Sequence, residues 1–578
     1  MGMSDDGLAY WQAEMAGDPL LKITIGDLLD QRASEFPEQE ALVYACYPEY
    51  KDTLELRWTY QQYRNRANEV ARGLMALGLQ KGEHIAVWAT NLPEWPLLQM
   101  AAAKAGLVLV TINPAHRATE LEYVLKQGDV SALFFMARVR DQDCLATVRS
   151  LITADVHNGK VSSERLPILR YVCLLGSGDM HTSPSQDWRP TLFRELVAGG
   201  GTVSEEELQE RQASVKPTDP AMILHTSGTT GFPKGTVLTH RSIINNAIIY
   251  ATRVGVSGSD RLCTALPLFH VGGSVLGTLG ALSIGSTLYP IIAFDPLKML
   301  QIISTERCTF LGVVPTMLLA MIQHPQFAEY DLSSLCTIII GGAPVPTFLM
   351  EQVKEAMGTN IVIIYGQTEA SAVITSTSPD DTFTLKSTTV GIPLPYVDVA
   401  IIDPATRHIL PCGEQGELCC RGYLVMQGYY NMPEQTAEAI DHDNWLHTGD
   451  LAVMDQHGYI KIVGRSKEMV IRGGENIFPR EIEELLIRHP QVADAQVLGV
   501  PDKFFGEELL AVLRLQEGST LTEEELREYC KGQISHQKIP RYFQFVDAYP
   551  MTASGKVQKF MLRKNAIEAL GLEDNTTA

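Results

Sequence analysis

The segment LHTSGTTGFPKGTVLTHRSIINNA, residues 224–247, holds a dense set of groups able to bind an anion. Gly228, Gly231 and Gly235 let the backbone turn and bring N–H groups close to a ligand. Thr226, Ser227, Thr229 and Thr230 add hydroxyl donors, and Lys234 adds a positive charge. The chemistry such a loop can do is to cradle phosphate groups. The spacing GxxxxGK[ST] is absent, so a P-loop NTPase is excluded here. A string this rich in Gly, Ser and Thr also suits a flexible surface loop, and composition alone leaves both readings open. Further along, single charged residues stand in turn-like settings: Glu369 in YGQTEAS, Asp450 in HTGDL, Lys556 in PMTASGKVQKFMLR and His270 in LPLFHVGG. Each has an ordinary explanation when taken alone. Glu369 favours a helix N-terminus, Asp450 a turn, Lys556 a solvated surface charge, and His270 a satisfied core histidine.

The elements that must position these residues read as α/β. Tyr60, Tyr63, Ala67, Val70, Ala71, Leu74 and Leu77 keep a 3.6-residue period, and the apolar run HIAVWA follows. The same alternation returns in MEQVKEAM and IVIIY, and Gly-rich turns after such strands are where α/β sheets place ligands. Over residues 398–463 short strands such as DVAIID, GELCCRG and GYIKIVG, parted by Gly, Pro and Asp, predict a β-rich subdomain. From residue 466 onward come a helix (REIEELLIRH), two strands (AQVLGV, LLAVLRL) and a helix with a Thr522/Glu525 capping box. The expectation is a large N-terminal domain, 1–465, of stacked α/β subdomains plus the β-rich one. A small mobile C-terminal α+β domain, 466–578, would follow, hinged in the polar stretch Gly464 to Lys467.

TSGTTGFPKG resembles the signature loop of the adenylate-forming superfamily, which includes acyl-CoA synthetases, firefly-type luciferases and the adenylation domains of peptide synthetases. The other motifs follow in the family's order, and the resemblance implies their tasks. YGQTEAS, with Tyr365, Gly366, Gln367 and Thr368, resembles the motif that closes over adenine, Glu369 being the implied Mg²⁺ ligand and Thr368 a contact to the α-phosphate. Gly341 to Pro344 (GGAP) is similar to the adenine-side loop, so Gly342, Ala343 and Pro344 are implied there. Asp450 stands where the family accepts both ribose hydroxyls, Arg465 where an arginine also reaches the ribose, and Lys467 at the hinge. Lys556 is implied to bridge the substrate carboxylate and the α-phosphate, where an ammonium offsets the repulsion of two anions. With Lys556, Glu369 and His270, Thr226 completes the implied catalytic set. RGGENIFPREIEE resembles the loop lining the pantetheine channel, which implicates Gly473, Gly474, Glu475 and Asn476.

The resemblance spans nearly the whole chain and is nearest to medium-chain fatty acyl-CoA synthetases, through segments such as TINPAHRATELEYVLKQGD, VMQGYYNMPEQTAEAI and SHQKIPRYFQFVDAYPMTASGKVQKF. One departure lies in the acyl half, where PLFHVGGSVLG and IIIGGAPVP replace bulkier or different residues beside His270 and at Gly342. His270, Val271, Gly272, Gly273, Val313, Val314, Pro315 and Gly341 to Ala343 are expected to line an apolar tunnel. The implied activity is two-step: a hydrophobic acid becomes an acyl-AMP with release of pyrophosphate, and the acyl group then passes to CoA. ATP and CoA are the co-substrates and Mg²⁺ the implied ion. An aryl-CoA ligase, a ligase loading a carrier-protein thiol, and a noncatalytic nucleotide- or acyl-binding module are the alternatives.

Composition sets the outer bounds. The chain has 578 residues, 45% hydrophobic and 20% charged, ample for several folded domains. Lys+Arg 47 against Asp+Glu 68 gives a net charge of −21, which argues against broad contact with nucleic acid or an anionic membrane. The acidic start MGMSDDG lacks the pattern of a secretory or transit peptide, and the apolar passages read as core elements, not spans, so a cytoplasmic protein is expected. The ten cysteines show no CxxC spacing and read as reduced structural thiols. Oligomeric state is not legible in the sequence, and a homodimer is carried as an option.

Overall fold

The computed structural model describes residues 2–3, 7–13, 20–47, 57–152, 159–176, 188–226, 233–473, 475–552 and 557–572. The chain is mixed α/β, as its alternation predicts, and divides into two compact units. One comprises Ala13–Asp398 and Cys420–Leu446, the other Gly2–Gln12, Val399–Cys419 and His447–Ala578.

The first unit holds two large sheets. In the nine-stranded sheet Glu40–Val43, Thr287–Pro290, Arg261–Thr264, Phe310–Val313, Thr337–Gly341 and Asn360–Tyr365 run parallel side by side. In the eight-stranded sheet Val130–Met136, His84–Trp88, Val108–Ile112 and Pro220–Thr226 are parallel neighbours, and Lys234–Thr239 turns back antiparallel. Strands covered by helices on both faces are mostly apolar, and His84–Trp88, Val108–Ile112 and Thr337–Gly341, apolar but for His84, Thr111 and Thr337, are buried at every position. Because the strands are parallel, the loops that leave their C-terminal ends share one edge of each sheet.

Helix Tyr60–Ala76 buries the periodic residues Tyr60, Tyr63, Ala67, Val70, Ala71 and Leu74. Thr59 and Gln62 close its N-terminus as a capping box. The Gly-rich passage GSVLGTLGALSIGS is core, as expected, but its form was not legible: Gly272–Leu279 is a π-helix. Packing forces the glycine at its start, since a Cβ on Gly273 would sit 2.3 Å from the Pro267 carbonyl oxygen. Among the described residues no helix is long and apolar enough to cross a membrane.

In the second unit Val492–Asp502 and Gly506–Leu515 form a long hairpin, extended by Val470–Arg472, Glu475–Ile477 and Tyr542–Phe545. Helices Pro479–Ile487 and Glu523–Cys530 cover one face and Lys559–Leu570 the other, giving a separate core on each side. The expected Thr522/Glu525 capping box is present.

Candidate active site

In the first unit, successive C-terminal strand ends lead into the loops that carry the sequence candidates. Arg261–Thr264 leads to His270, Val271 and Gly272; Phe310–Val313 to Val314 and Pro315; Thr337–Gly341 to Gly342, Ala343 and Pro344; and Asn360–Tyr365 to Gly366, Gln367, Thr368 and Glu369. Two buried asparagines pin these loops. The Asn91 amide donates to the Leu266 and Ile291 carbonyls at 3.1 and 2.9 Å and accepts the Leu268 N–H at 2.8 Å, fixing the approach to His270. Asn246 donates to the Val373 carbonyl at 2.8 Å and accepts its N–H at 3.0 Å, fixing the turn that carries Glu369. A buried backbone segment without such partners would leave its polar groups unsatisfied, at about 1–3 kcal/mol each.

The turn after Tyr365 is tightly built. A Cβ on Gly366 would lie 2.0 Å from the Ala372 carbonyl oxygen, and Ser371 adopts φ 56° while its hydroxyl donates to the Leu424 carbonyl at 2.7 Å. Thr368 is buried. Glu369 is thereby set against the end of strand Pro220–Thr226. The Thr226 hydroxyl donates to Glu369 Oε1 at 3.4 Å, and the Tyr429 phenol donates to the same oxygen at 2.9 Å. Lys234, opposite Thr226 in the antiparallel pair, has its ammonium 4.8 Å from the centre of the Tyr429 ring. Burial, then the Glu369 charge, push the Tyr429 phenol far above its ordinary range, so it remains a donor. Both contacts of the Glu369 carboxylate among the described residues fall on Oε1, which leaves Oε2 with none. Hard oxygens from a carboxylate and a hydroxyl suit Mg²⁺. The candidates Ser227, Gly228, Thr229, Thr230 and Gly231 lie outside the described residues.

The acyl candidates are gathered beside one another. Leu266 Cδ1 would be 3.4 Å from a Cβ on Gly272, and Val314 Cγ1 3.6 Å from one on Gly342, which has φ 78°. The Gly272 N–H donates to His270 Nδ1 at 3.3 Å. Gly341 admits no side chain, because a Cβ would meet the Ile364 carbonyl oxygen at 2.5 Å.

In the second unit Asp450 and Arg465 face each other across an antiparallel pair, with Arg465 Nε 2.9 Å from Asp450 Oδ1. The Asp450 side chain is 5% exposed. Its turn is held from below: the Thr448 hydroxyl donates to the Leu418 carbonyl at 2.6 Å, and Glu417 accepts the Gly449 N–H at 3.0 Å. Glu417 Oε2 also lies 2.9 Å from His447 Nδ1. Burial pushes the Glu417 carboxyl up, but the His447 hydrogen bond and charge and the Gly449 N–H hold it below its ordinary value. Glu417, Cys419 and His447 are close enough to suggest a metal cluster. Arg407 Nη1 lies 3.0 and 3.2 Å from the two ring nitrogens of His447 and 4.0 Å from Glu417 Oε2, which adds a positive charge beside these groups. Lys467 is exposed in the turn Ser466–Glu468. Gly473 has φ 60°, and its N–H donates to the Phe505 carbonyl at 2.9 Å. Glu475 and Asn476 belong to strand Glu475–Ile477, while Gly474 and Lys556 lie outside the described residues.

Sequence reasoning missed Tyr429, Asn91, Asn246 and Glu417. The signal was faint: a Tyr pair after Gly428, two amides within otherwise apolar contexts, and an acid at the start of a strand.

Two histidines, His240 buried and His225 partly buried, flank the phosphate-loop candidates in sequence. Burial lowers His225 and His240 from 6.5 to about 4. Between those values the unfolded chain binds protons that the folded chain does not. Stability is therefore full above about pH 6.5 and falls as pH drops toward 4, by at most about 1.4 kcal/mol per pH unit for each histidine. Urea unfolding near pH 7 and near pH 5 should show the midpoint falling, with a shallower fall in His240→Gln. An equal fall in that variant would remove His240 from the account.

Comparison with known proteins identifies the family. The family described as AMP-binding enzyme matches residues 29–430, and the AMP-binding enzyme C-terminal domain matches residues 481–556. YngI of Bacillus subtilis (strain 168), an acyl-CoA synthetase by its name, is 46% identical over 559 residues, covering 96% of this chain and 99% of its own. The mitochondrial medium-chain acyl-CoA ligase ACSF2 of Homo sapiens is 40% identical over 578 residues, covering 98% and 91%. Among solved structures, the anthranilate CoA ligase AuaEII in complex with anthranoyl-AMP superposes with TM-score 0.81 at 26% identity, covering 96% of this chain and 99% of its own. A fatty acyl CoA synthetase of Mycobacterium tuberculosis gives TM-score 0.67 at 30% identity, covering 94% and 99%.

Proposed function

The chain belongs to the AMP-binding enzyme family and is an AMP-forming acid–CoA ligase, and we propose that its acid is a hydrophobic, medium-chain fatty acid. In the first step a carboxylate oxygen of the acid attacks the α-phosphorus of ATP, the P–O bond to the leaving group breaks, and acyl-AMP and pyrophosphate form. In the second the CoA thiol, giving up its proton, attacks the acyl carbonyl and AMP departs.

What supports the choice of acid is the residue types that follow the strand ends: Leu266, Val271, Gly272, Val314 and Gly341 carry no polar or charged side chain, as an apolar lining requires. Such a lining selects by length and shape, at about 1–3 kcal/mol per methylene, not by charge. The name of ACSF2, a medium-chain acyl-CoA ligase, supports the same reading, and that of YngI the broader class of acyl-CoA synthetases.

The roles assigned to the remaining residues rest on the family resemblance. Thr226, the 227–231 loop and Lys234 bind the phosphates; Gly342 to Pro344 and Tyr365 to Thr368 take the adenine and α-phosphate; Asp450 and Arg465 take the ribose; and His270 lies by the acyl carboxylate. Glu369 would hold Mg²⁺, which when bound draws charge from the ATP phosphates. Lys556 serves the first step and Gly473 to Asn476 the thiol channel of the second, with Lys467 the hinge of a C-terminal domain that begins at residue 466. A cytoplasmic location and a homodimer belong to the same proposal.

The test is a panel of acids, from short to long straight chains and including benzoates and anthranilate, incubated with ATP and hydroxylamine or with free CoA. Mass spectrometry should find the hydroxamate and the acyl-CoA accumulating fastest for straight chains of middle length. Preference for the aromatic acids would replace the fatty reading with an aryl-CoA ligase, the activity named for AuaEII. Hydroxamates without acyl-CoA would point to a carrier-protein thiol.

A further inference from the structure

We propose that Tyr429 is a positioning residue that keeps Glu369 and Lys234 apart and orients both, leaving one carboxylate oxygen for the nucleotide-bound cation and the ammonium for phosphate. The inference rests on the reading of Glu369 as the cation ligand.

The two charged groups are near neighbours of a single aromatic side chain. Its hydroxyl holds Glu369 Oε1 at 2.9 Å, and its ring centre lies 4.8 Å from Lys234 Nζ. A carboxylate and an ammonium that share one neighbour attract each other and, with nothing between them, would pair and quench each other. Among the described residues Lys234 makes no ion pair. The ring gives the ammonium an electron-rich face to rest on, and the phenol gives the carboxylate a charge-assisted hydrogen bond. With the phenol and Thr226 both on Oε1, Oε2 is the oxygen left to a cation.

The backbone makes Tyr429 rigid enough for this task. Its N–H donates to Thr436 Oγ1 at 2.9 Å, and Gln427 and Tyr430 on either side donate to the Val237 and Gly235 carbonyls at 3.0 and 2.8 Å. Gly428 has φ 145°, and a Cβ there would lie 2.8 Å from Thr436 Cγ2, so the approach to Tyr429 requires glycine. The Met426 N–H donates to the Glu369 carbonyl at 2.9 Å, tying the segment to the turn it serves. Strand Gly428–Tyr429 thus joins the edge of the sheet that carries Lys234 to the loop that carries Glu369. Residues that support a metal ligand in this way are worth about 10–100-fold in metal affinity.

The experiment separates hydroxyl from ring. Mn²⁺ binding is measured by electron paramagnetic resonance in the presence of α,β-methylene-ATP, and metal-free binding of the same analogue by calorimetry. Tyr429→Phe, which keeps the ring, should weaken Mn²⁺ about tenfold and leave metal-free nucleotide binding unchanged. Tyr429→Leu should weaken both. Added to Glu369→Gln, Tyr429→Phe should cost nothing further in Mn²⁺ affinity, because it acts through the carboxylate. Parental Mn²⁺ affinity in Tyr429→Phe, or an undiminished loss in the double variant, would overturn the inference while leaving Glu369 as ligand. Unchanged Mn²⁺ affinity in Glu369→Gln itself would remove the reading on which it rests. Melting temperatures of all variants guard against loss of fold.

Discussion

Lys556→Ala should cut acid-dependent pyrophosphate release about a hundred- to a thousandfold, while thioester formation from supplied acyl-AMP and CoA proceeds near the parental rate. The argument is electrostatic. Adenylation brings a carboxylate against a triphosphate, and negative charge grows on the oxygens around phosphorus as the bond forms. An inserted ammonium counters that charge where it develops and also holds the two anions in line. In the second step the attacking group is a thiol and the leaving group a single phosphate, so the same lysine has no comparable task. Half-reactions are read separately by pyrophosphate release and by acyl-CoA formation from synthetic acyl-AMP. Equal loss of both would refute the division of labour.

Glu369→Gln should lower kcat/KM for Mg·ATP by about two orders of magnitude or more, a loss of about 2.7 kcal/mol or above. The amide keeps the volume and an oxygen able to accept the Tyr429 and Thr226 hydrogen bonds, which reach Oε1 at 2.9 and 3.4 Å. What it removes is the negative charge that a hard divalent cation requires. Raising Mg²⁺ should therefore recover part of the rate, and the magnesium concentration for half-maximal activity should climb. Parental magnesium dependence in this variant would detach Glu369 from the metal and leave it a structural member of the Tyr429 network.

How far the site could be read without coordinates varies from group to group. The proposed phosphate loop stands out because its glycines, hydroxyls and lysine are close in sequence, and Glu369, Asp450 and Lys556 were named as candidates because each lies in a short motif of fixed order. Tyr429 sits within a segment that was recognised, yet nothing local marks its phenol as a partner for Glu369, 60 residues away. Asn91 and Asn246 read as exceptions inside apolar stretches until their amides are seen to hold Leu266, Leu268, Ile291 and Val373. The π-helix over Gly272–Leu279 was likewise hidden, since a Gly-rich apolar run does not specify which carbonyl each N–H will choose.

The order of strands and helices, the capping of Tyr60–Ala76 and Glu523–Cys530, and the chemistry each motif offers are determined by the sequence itself. They depend on periodicity and on side chains within a few residues of one another, where geometry is set by the backbone. Which strand ends share an edge, and that Thr226, Glu369, Lys234 and Tyr429 meet around one carboxylate and one ring, only the tertiary structure decided. Those meetings are the outcome of burying many apolar strands at once, and no residue carries a local mark of the distant partner that burial will bring to it.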